Sequence, residues 1–180
     1  MTELGLWLPR GLGMSVVLGT IVGIGLLLFS RLLLNPLIEY STETHRDLSA
    51  VDYLRGNWRA LWMLLPTIWI SAGISEEIVY RGYLITQVEG LLGNFWVARL
   101  TAILVAAILF GLAHGHQGAA GMLVNGTLGV LFGLLFLLQR ENLWANIVAH
   151  IVLDTTSLVA ITLNWDRWLD HLGHHLFFGQ

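Results

Sequence analysis

The stretch Glu76-Glu77-Ile78-Val79-Tyr80-Arg81-Gly82 places two adjacent carboxylates and a guanidinium directly after an apolar run, residues 61–74. A charged side chain in the hydrocarbon of a bilayer costs at least ~2.5–3.5 kcal/mol, so charges in this position usually mark a functional site. If the segment is helical, Glu77 and Arg81 lie four residues apart on one face and can pair. Glu76 lies about 100° round the helix from Glu77. The pattern therefore predicts one neutralised carboxylate and one that remains available.

The composition of the whole chain is that of an integral membrane protein. Of its 180 residues, 56% are hydrophobic and only 12% are charged, whereas soluble domains carry about 25% charged residues. The net charge of −3 is small and the basic residues, all of them arginine, are scattered, so nothing indicates nucleic acid binding. Cysteine is absent, which excludes disulfides, thiolate catalysis and Cys-ligated metals.

Five apolar runs are long enough to cross a hydrocarbon core of about 30 Å as helices. We therefore expect an all-α, polytopic membrane helix bundle of about five transmembrane helices, in which an added first helix precedes a four-helix core. Gly19 and Gly23 give the first helix a face of small residues, suited to close helix packing. The runs cover residues 12–29, 58–74, 97–113, 119–138 and 143–163.

Polar segments divide the chain into three predicted parts. Residues 1–57 are an N-terminal transmembrane helix and a polar loop, residues 58–164 are the core, and residues 165–180 are a polar, histidine-rich C-terminal tail. Pro36 is expected to end the first helix, because the residue before a proline is pushed out of the α region. Residues 38–57 then form a surface loop or an interfacial helix.

Polar residues in or beside three other apolar runs accompany the charged stretch. His114 follows the third run, Asn125 lies near the start of the fourth, and His150 and Asp154 lie four residues apart on one face of the fifth. Each has a structural explanation: a hydrated turn, an interhelical hydrogen bond or, for residues 76–81, an ion pair at a helix end. Together they supply two imidazoles and up to three carboxylates, the groups that peptide hydrolysis requires.

Hydrolysis without a serine or cysteine nucleophile needs a base that deprotonates water and donors for the developing oxyanion. Glu76 is a candidate base because Arg81 does not neutralise it. One histidine can share the water and later protonate the leaving amine. The other can present an N–H to the carbonyl oxygen, its tautomer fixed by a neighbouring acceptor such as Asp154.

Three motifs occur in order along the chain. They are Glu-Glu-x-x-x-Arg at residues 76–81, Phe-x-x-x-His from Phe110 to His114, and His-x-x-x-Asp from His150 to Asp154. Their spacing and apolar surroundings resemble the CPBP family of intramembrane proteases, also called the CAAX prenyl protease type II or ABI family. The similarity covers about residues 58–163.

The resemblance implies an intramembrane endopeptidase of the glutamate type, with a four-helix catalytic core and no metal cofactor. Its partners would be the lipid bilayer and a membrane-associated protein or peptide substrate. By the family pattern, Glu76 would activate water together with His114, while His150 and Asp154 would act at the oxyanion. The supporting residues would be Glu77, Arg81, Phe110 and Asn125.

Some assignments within this resemblance stay open. Glu76 and Glu77 could exchange roles. Asp154 stands where the best-understood members have asparagine, and an ionised aspartate accepts hydrogen bonds but cannot donate them. Either Asp154 is protonated, or it only orients His150. The short chain with one extra helix is typical of prokaryotic members, so we expect the inner or plasma membrane of a prokaryote and infer no prenylated substrate.

Two other functions are compatible with the same residues. The first is a zinc-dependent intramembrane metalloprotease, because catalytic zinc sites use three His, Glu or Asp ligands plus water. The compact His-Glu-x-x-His motif is missing. The second is a non-enzymatic membrane protein, such as an immunity protein that only binds its target or a proton-coupled carrier, although the absence of internal repeats disfavours a carrier. The candidate zinc ligands are Glu76, His114, His150 and Asp154.

Overall fold

The computed structural model describes residues 4–8, 11–93 and 95–179, and within these ranges it contains helices and no strands. The predicted all-α bundle is therefore confirmed. Helix α1 spans Leu12–Thr42 with a π-helical turn at Ser30–Leu34, and α2 spans 58–92 with a π-helical middle at Trp69–Ile85. The remaining helices are α3 (Trp96–Ala113), α4 (Gly118–Leu138), α5 (Trp144–Thr162) and α6 (Trp165–Phe178).

Helices α1, α3, α4 and α5 are long and apolar enough to cross a membrane. The helix α2 is also long, but it carries the charged stretch and is not among these four. Large apolar side chains such as Ile21, Leu104 and Ile108 are exposed on the outside of the bundle. Such a surface is suited to lipid rather than to water.

The small-residue face of α1 packs closely against α5, as the glycine spacing predicts. A Cβ atom at Gly19 would lie 2.7 Å from the carbonyl oxygen of Ala145, and one at Gly23 would lie 2.6 Å from that of Ala149. A larger side chain at either glycine would push the two helices apart. Because α5 carries His150, this contact helps to set the position of that imidazole.

The prediction that Pro36 ends the first helix is wrong, since α1 continues to Thr42. Pro36 lies two residues after the π-helical turn Ser30–Leu34, where the hydrogen-bond register of the helix is already shifted. A proline disrupts a helix because it lacks an N–H for the regular ladder. Where that ladder is already interrupted, the missing donor is tolerated.

The C-terminal segment is a packed helix, α6, and not the polar tail that its composition suggests. Asp166 accepts two hydrogen bonds from Arg55, both of 2.8 Å, and Asp170 forms a 3.0 Å ion pair with Arg31. Both aspartates therefore fasten α6 to the N-terminal part of the chain. Their arginine partners lie more than a hundred residues away in sequence, so no local pattern could identify them.

We predict that Asp166→Asn lowers the free energy of unfolding by about 2 kcal/mol, because it removes the carboxylate that two charge-assisted hydrogen bonds reach. Burial raises the pKa of the Asp166 carboxyl group, but the hydrogen bonds from Arg55 outweigh burial and hold that pKa below its usual value. The contact between Asp166 and Arg55 therefore contributes its full stabilisation of the folded state above the unfolded-state pKa of about 3.9. It is lost as the pH falls through the lower pKa of the folded state.

Thermal unfolding in detergent at several pH values measures this loss. Asp52→Asn is the matched control, because Asp52 also contacts Arg55, at 3.0 Å, but its side chain is 52% exposed. An exposed pair of this kind contributes about 0–1 kcal/mol. Equal destabilisation by the two variants would contradict the importance of the Asp166 contact.

Candidate functional site

Glu77 is fully buried in the middle of the bundle, and three side chains hold its carboxylate. Arg81 donates to Oε1 at 2.9 Å, so the predicted pair is formed, and Asn146 donates to Oε2 at 3.3 Å. The Nδ1 atom of His150 lies 2.7 Å from Oε1. The ion pair with Arg81 favours the ionised form of Glu77, which can only accept hydrogen bonds, so the Nδ1–H of His150 donates to it.

Arg81 is itself enclosed by aromatic rings and a carbonyl group. Its guanidinium carbon lies 4.5 Å from the centre of the Phe110 ring and 5.1 Å from that of Phe132. Its Nη2 atom lies 3.4 Å from the carbonyl oxygen of Gly129. These cation–π and hydrogen-bond contacts join α2 to α3 and α4.

Glu76 points in a different direction, into a cavity of about 300 Å³. Its side chain is 29% exposed, and its Oε2 atom lies 3.8 Å from Nε2 of His150. Among residues 4–8, 11–93 and 95–179, that oxygen has no hydrogen-bond partner. The two adjacent carboxylates therefore differ, as the sequence predicts: both oxygens of Glu77 accept hydrogen bonds, whereas Oε2 of Glu76 accepts none.

His114, His150 and Asp154 line the same cavity as Glu76. The Nδ1 atom of His114 lies 2.8 Å from the carbonyl oxygen of Phe110. A carbonyl can only accept a hydrogen bond, so Nδ1 carries the proton and Nε2 of the neutral ring carries a lone pair. The structure thus brings together in one cavity the four residues named as candidate catalytic groups.

The contacts of His150 differ from those expected in one respect. Its Nδ1–H is directed at Glu77, whereas Asp154 lies on the other side of the ring, with Oδ2 3.6 Å from Nε2. The tautomer is therefore fixed by Glu77 and not by Asp154. Since Nδ1–H is already engaged, only a protonated imidazole can donate a hydrogen bond from Nε2 into the cavity.

Asn146 is a member of this cluster that sequence reasoning missed. It is fully buried and donates to the carbonyl oxygen of Phe132 at 2.8 Å as well as to Glu77. A signal was present, because Asn146 lies four residues before His150 and shares its helix face. Asn125, by contrast, donates to Gln117 at 3.0 Å and to the carbonyl oxygen of Gly121 at 2.8 Å, on another side of the cavity.

The N-terminal part of the chain also contributes to the cavity. Residues of α1 and of the loop 43–57 form part of its wall, although composition assigns them to a separate segment. Nothing in the local sequence indicates this, because the contact depends on how α1 packs against α5. The wall residues from this part are Ser30, Arg31, Arg46, Leu48 and Val51.

The acidic and imidazole side chains of the cavity are also the candidate zinc ligands. Within the part of the chain that the structure describes, no three or more His, Asp or Glu side chains form a group that could hold a metal ion. The Glu76 and Asp154 carboxylates instead approach a single imidazole nitrogen, Nε2 of His150, at 3.8 and 3.6 Å.

A protein-family model matches the larger part of the chain. The family model described as type II CAAX prenyl endopeptidase Rce1-like matches residues 57–156. This range is more than half of the chain, and it contains all three motifs, from Glu76 to Asp154. Neither a curated protein nor a solved structure matches the chain. The resemblance inferred from the motifs is confirmed, and the chain belongs to the Rce1-like family of type II CAAX prenyl endopeptidases.

Proposed function

We propose that this integral membrane protein hydrolyses a peptide bond by water activation at Glu76 and His114, with His150 at the oxyanion. Membership of the family makes the chain a peptide hydrolase whose substrate is a membrane-associated protein. The observation that supports the finer assignment is that Glu76, whose buried Oε2 atom has no hydrogen-bond partner among the described residues, lines one cavity with His114 and His150. The inner or plasma membrane of a prokaryote is the proposed location.

The environments of the two carboxylates favour Glu76 over Glu77 as the base. Both oxygens of Glu77 already accept hydrogen bonds, and Glu77 does not line the cavity. Removing Glu77 from this network would leave Arg81 buried without a counterion, at a large energetic cost. Glu76, by contrast, has a side chain that is 29% exposed, and its Oε2 atom lies 3.8 Å from Nε2 of His150 without a hydrogen bond, so Glu76 keeps the capacity to accept one from water.

The attack step follows from the hydrogen-bonding capacities of these groups. Water placed between Glu76 and Nε2 of His114 donates one hydrogen bond to each acceptor. As its oxygen bonds to the carbonyl carbon, Glu76 takes a proton and the C=O π electrons move to the carbonyl oxygen. When the C–N bond then breaks, that proton passes to the leaving amine, directly or through His114.

The negative charge on the tetrahedral intermediate needs a donor, and a protonated His150 supplies one at Nε2. Glu77 stabilises this imidazolium through its bond to Nδ1. Asp154, on the Nε2 side, cannot donate when ionised. Its proposed role is to balance the positive charge of His150 while the site is empty. When substrate binds, the carbonyl oxygen of the substrate replaces Asp154 as the partner of Nε2.

We predict that Glu76→Gln and His114→Ala each lower kcat by at least 100-fold while the protein stays folded in detergent. The physical reason is that an amide cannot take a proton from water, and removal of the imidazole leaves the water with one acceptor. Mass spectrometry of membrane-associated peptides in cells that express wild type or Glu76→Gln identifies the substrate, and the purified proteins then give the rates.

Glu89→Gln is the matched control, because it makes the same change on the same helix outside the cavity. It should cleave like the wild type. Turnover by both cavity variants at the wild-type rate would refute the mechanism. If Glu76→Gln still binds its target and still protects cells fully, as an immunity protein would, the result would instead support a binding protein without enzymatic activity.

We predict that Asp154→Asn retains cleavage within about tenfold of the wild-type rate, because Glu77 and not Asp154 fixes His150. The asparagine amide also places an N–H donor beside the oxyanion. Steady-state rates at several pH values measure the effect. Complete loss of activity in a folded variant would show that the carboxyl group of Asp154 takes part in the chemistry.

We predict that cleavage persists after dialysis against excess EDTA and in the presence of 1,10-phenanthroline. The proposed mechanism draws its base and its oxyanion donor from side chains alone. The same assay before and after chelation, with zinc added back, tests the metalloprotease alternative. Loss of activity on chelation and its recovery with zinc would establish that alternative.

A further inference from the structure

Arg46 is a charged cavity residue for which the proposed reaction has no use. It belongs to the loop 43–57, is half-buried and lines the cavity together with Glu76 and His114. Its Nε–H donates to the side-chain oxygen of Gln117 at 2.7 Å. Among the described residues, its two terminal nitrogens, Nη1 and Nη2, meet no acceptor and no carboxylate within ion-pair distance.

A network of hydrogen bonds holds this guanidinium in place. The Gln117 oxygen that binds Arg46 also accepts a 3.0 Å hydrogen bond from Asn125. The backbone N–H of Asp47 donates to the carbonyl oxygen of Gln117 at 3.0 Å. The loop and the start of α4 are thus joined at Arg46, and the orientation of its planar group is fixed from the Nε side.

Unlike two other arginines of this region, Arg46 has no ion-pair partner among the described residues. Arg31 also lines the cavity, but Asp170 neutralises it at 3.0 Å. Arg81 is neutralised by Glu77 at 2.9 Å. Burial, and then the charge of Arg31, lower the pKa of Arg46 to about 10, which leaves it protonated at neutral pH.

The two free carboxylates of the cavity do not pair with Arg46. Glu76 and Asp154 both approach Nε2 of His150. Asp154 acts on Arg46 electrostatically, without contact. The cavity therefore has an acidic side, where the proposed chemistry takes place, and a cationic side formed by Arg46.

We propose that Arg46 binds a carboxylate of the peptide in the cavity and so selects substrates with a negative charge close to the scissile bond. This inference rests on the proposed function. The two terminal nitrogens of a guanidinium match a carboxylate in bidentate geometry. The carboxylate belongs to a C-terminus or to an acidic side chain. The volume of this cavity is at the small end of the range for ligand sites, so the cavity holds a short peptide segment. Binding of the carboxylate by Arg46 fixes the direction in which that segment lies.

Isothermal titration of the full-length protein in detergent with three probes tests this inference. The first probe is N-acetylated leucyl-leucine with a free C-terminal carboxylate, and the second is its C-terminal amide. The third is N-acetylated leucyl-aspartate with a C-terminal amide, which carries the carboxylate on its side chain. We expect the wild type to bind a carboxylate probe at least about tenfold more tightly than the neutral amide.

Two variants assign this preference to Arg46. Arg46→Gln should bind all three probes with the wild-type affinity for the neutral amide, and Arg46→Lys should keep part of the preference. Arg59→Gln is the matched control, because Arg59 is exposed and does not line the cavity, and it should behave like the wild type. Whichever of the two carboxylate probes binds more tightly shows whether the site accepts a C-terminal carboxylate or the carboxylate of an acidic side chain.

Equal affinity of the wild type for the three probes, or no binding of either carboxylate probe, would overturn the inference. A preference that survives in Arg46→Gln would do the same. These outcomes are distinct from failure of the proposed function, since binding is measured without cleavage. A protein that prefers carboxylates but never cleaves would refute only the hydrolytic mechanism, and one that cleaves acid and amide alike would refute only the role of Arg46.

Discussion

The buried carboxylate of Glu77 is the contact on which the rest of the site depends. Removing an ion pair from water is costly, and the pair is stable only when its geometry is good and the remaining donors and acceptors are satisfied. Here Asn146 and His150 complete the coordination of Glu77, while Phe110 and Phe132 enclose Arg81. One ionic cluster therefore holds helices α2, α3, α4 and α5 in a single arrangement.

This cluster also explains why two adjacent glutamates serve different purposes. Neighbouring side chains on a helix point in different directions, so Glu77 faces the interior of the bundle and Glu76 faces the cavity. The Glu77 carboxylate binds Nδ1 of His150 and fixes the ring. The Glu76 carboxylate lies on the opposite side of the ring, 3.8 Å from Nε2. The proposed hydrolysis requires this combination, in which one carboxylate is rigidly held and the next can still accept a hydrogen bond.

The N-terminal helix and the C-terminal helix extend the site beyond the family core. The glycines of α1 bring it against α5, and Arg31 then reaches Asp170 of α6 at 3.0 Å. Asp166 fastens the loop 43–57 through Arg55. The loop in turn places Arg46 in the cavity wall. Segments outside the three motifs thereby place charged side chains in the cavity wall.

The sequence by itself determined what depends on local periodicity. Hydropathy located the helices, the spacing of four residues predicted the pair of Glu77 and Arg81, and three ordered motifs identified the family. Only the tertiary structure decided that Glu77 binds His150, that residues 165–178 form a packed helix, and that Arg46 enters the cavity. The physical reason is that helical spacing defines which residues share a face of one helix. Which faces meet depends on the packing of all the helices together, and that packing joins residues far apart in sequence.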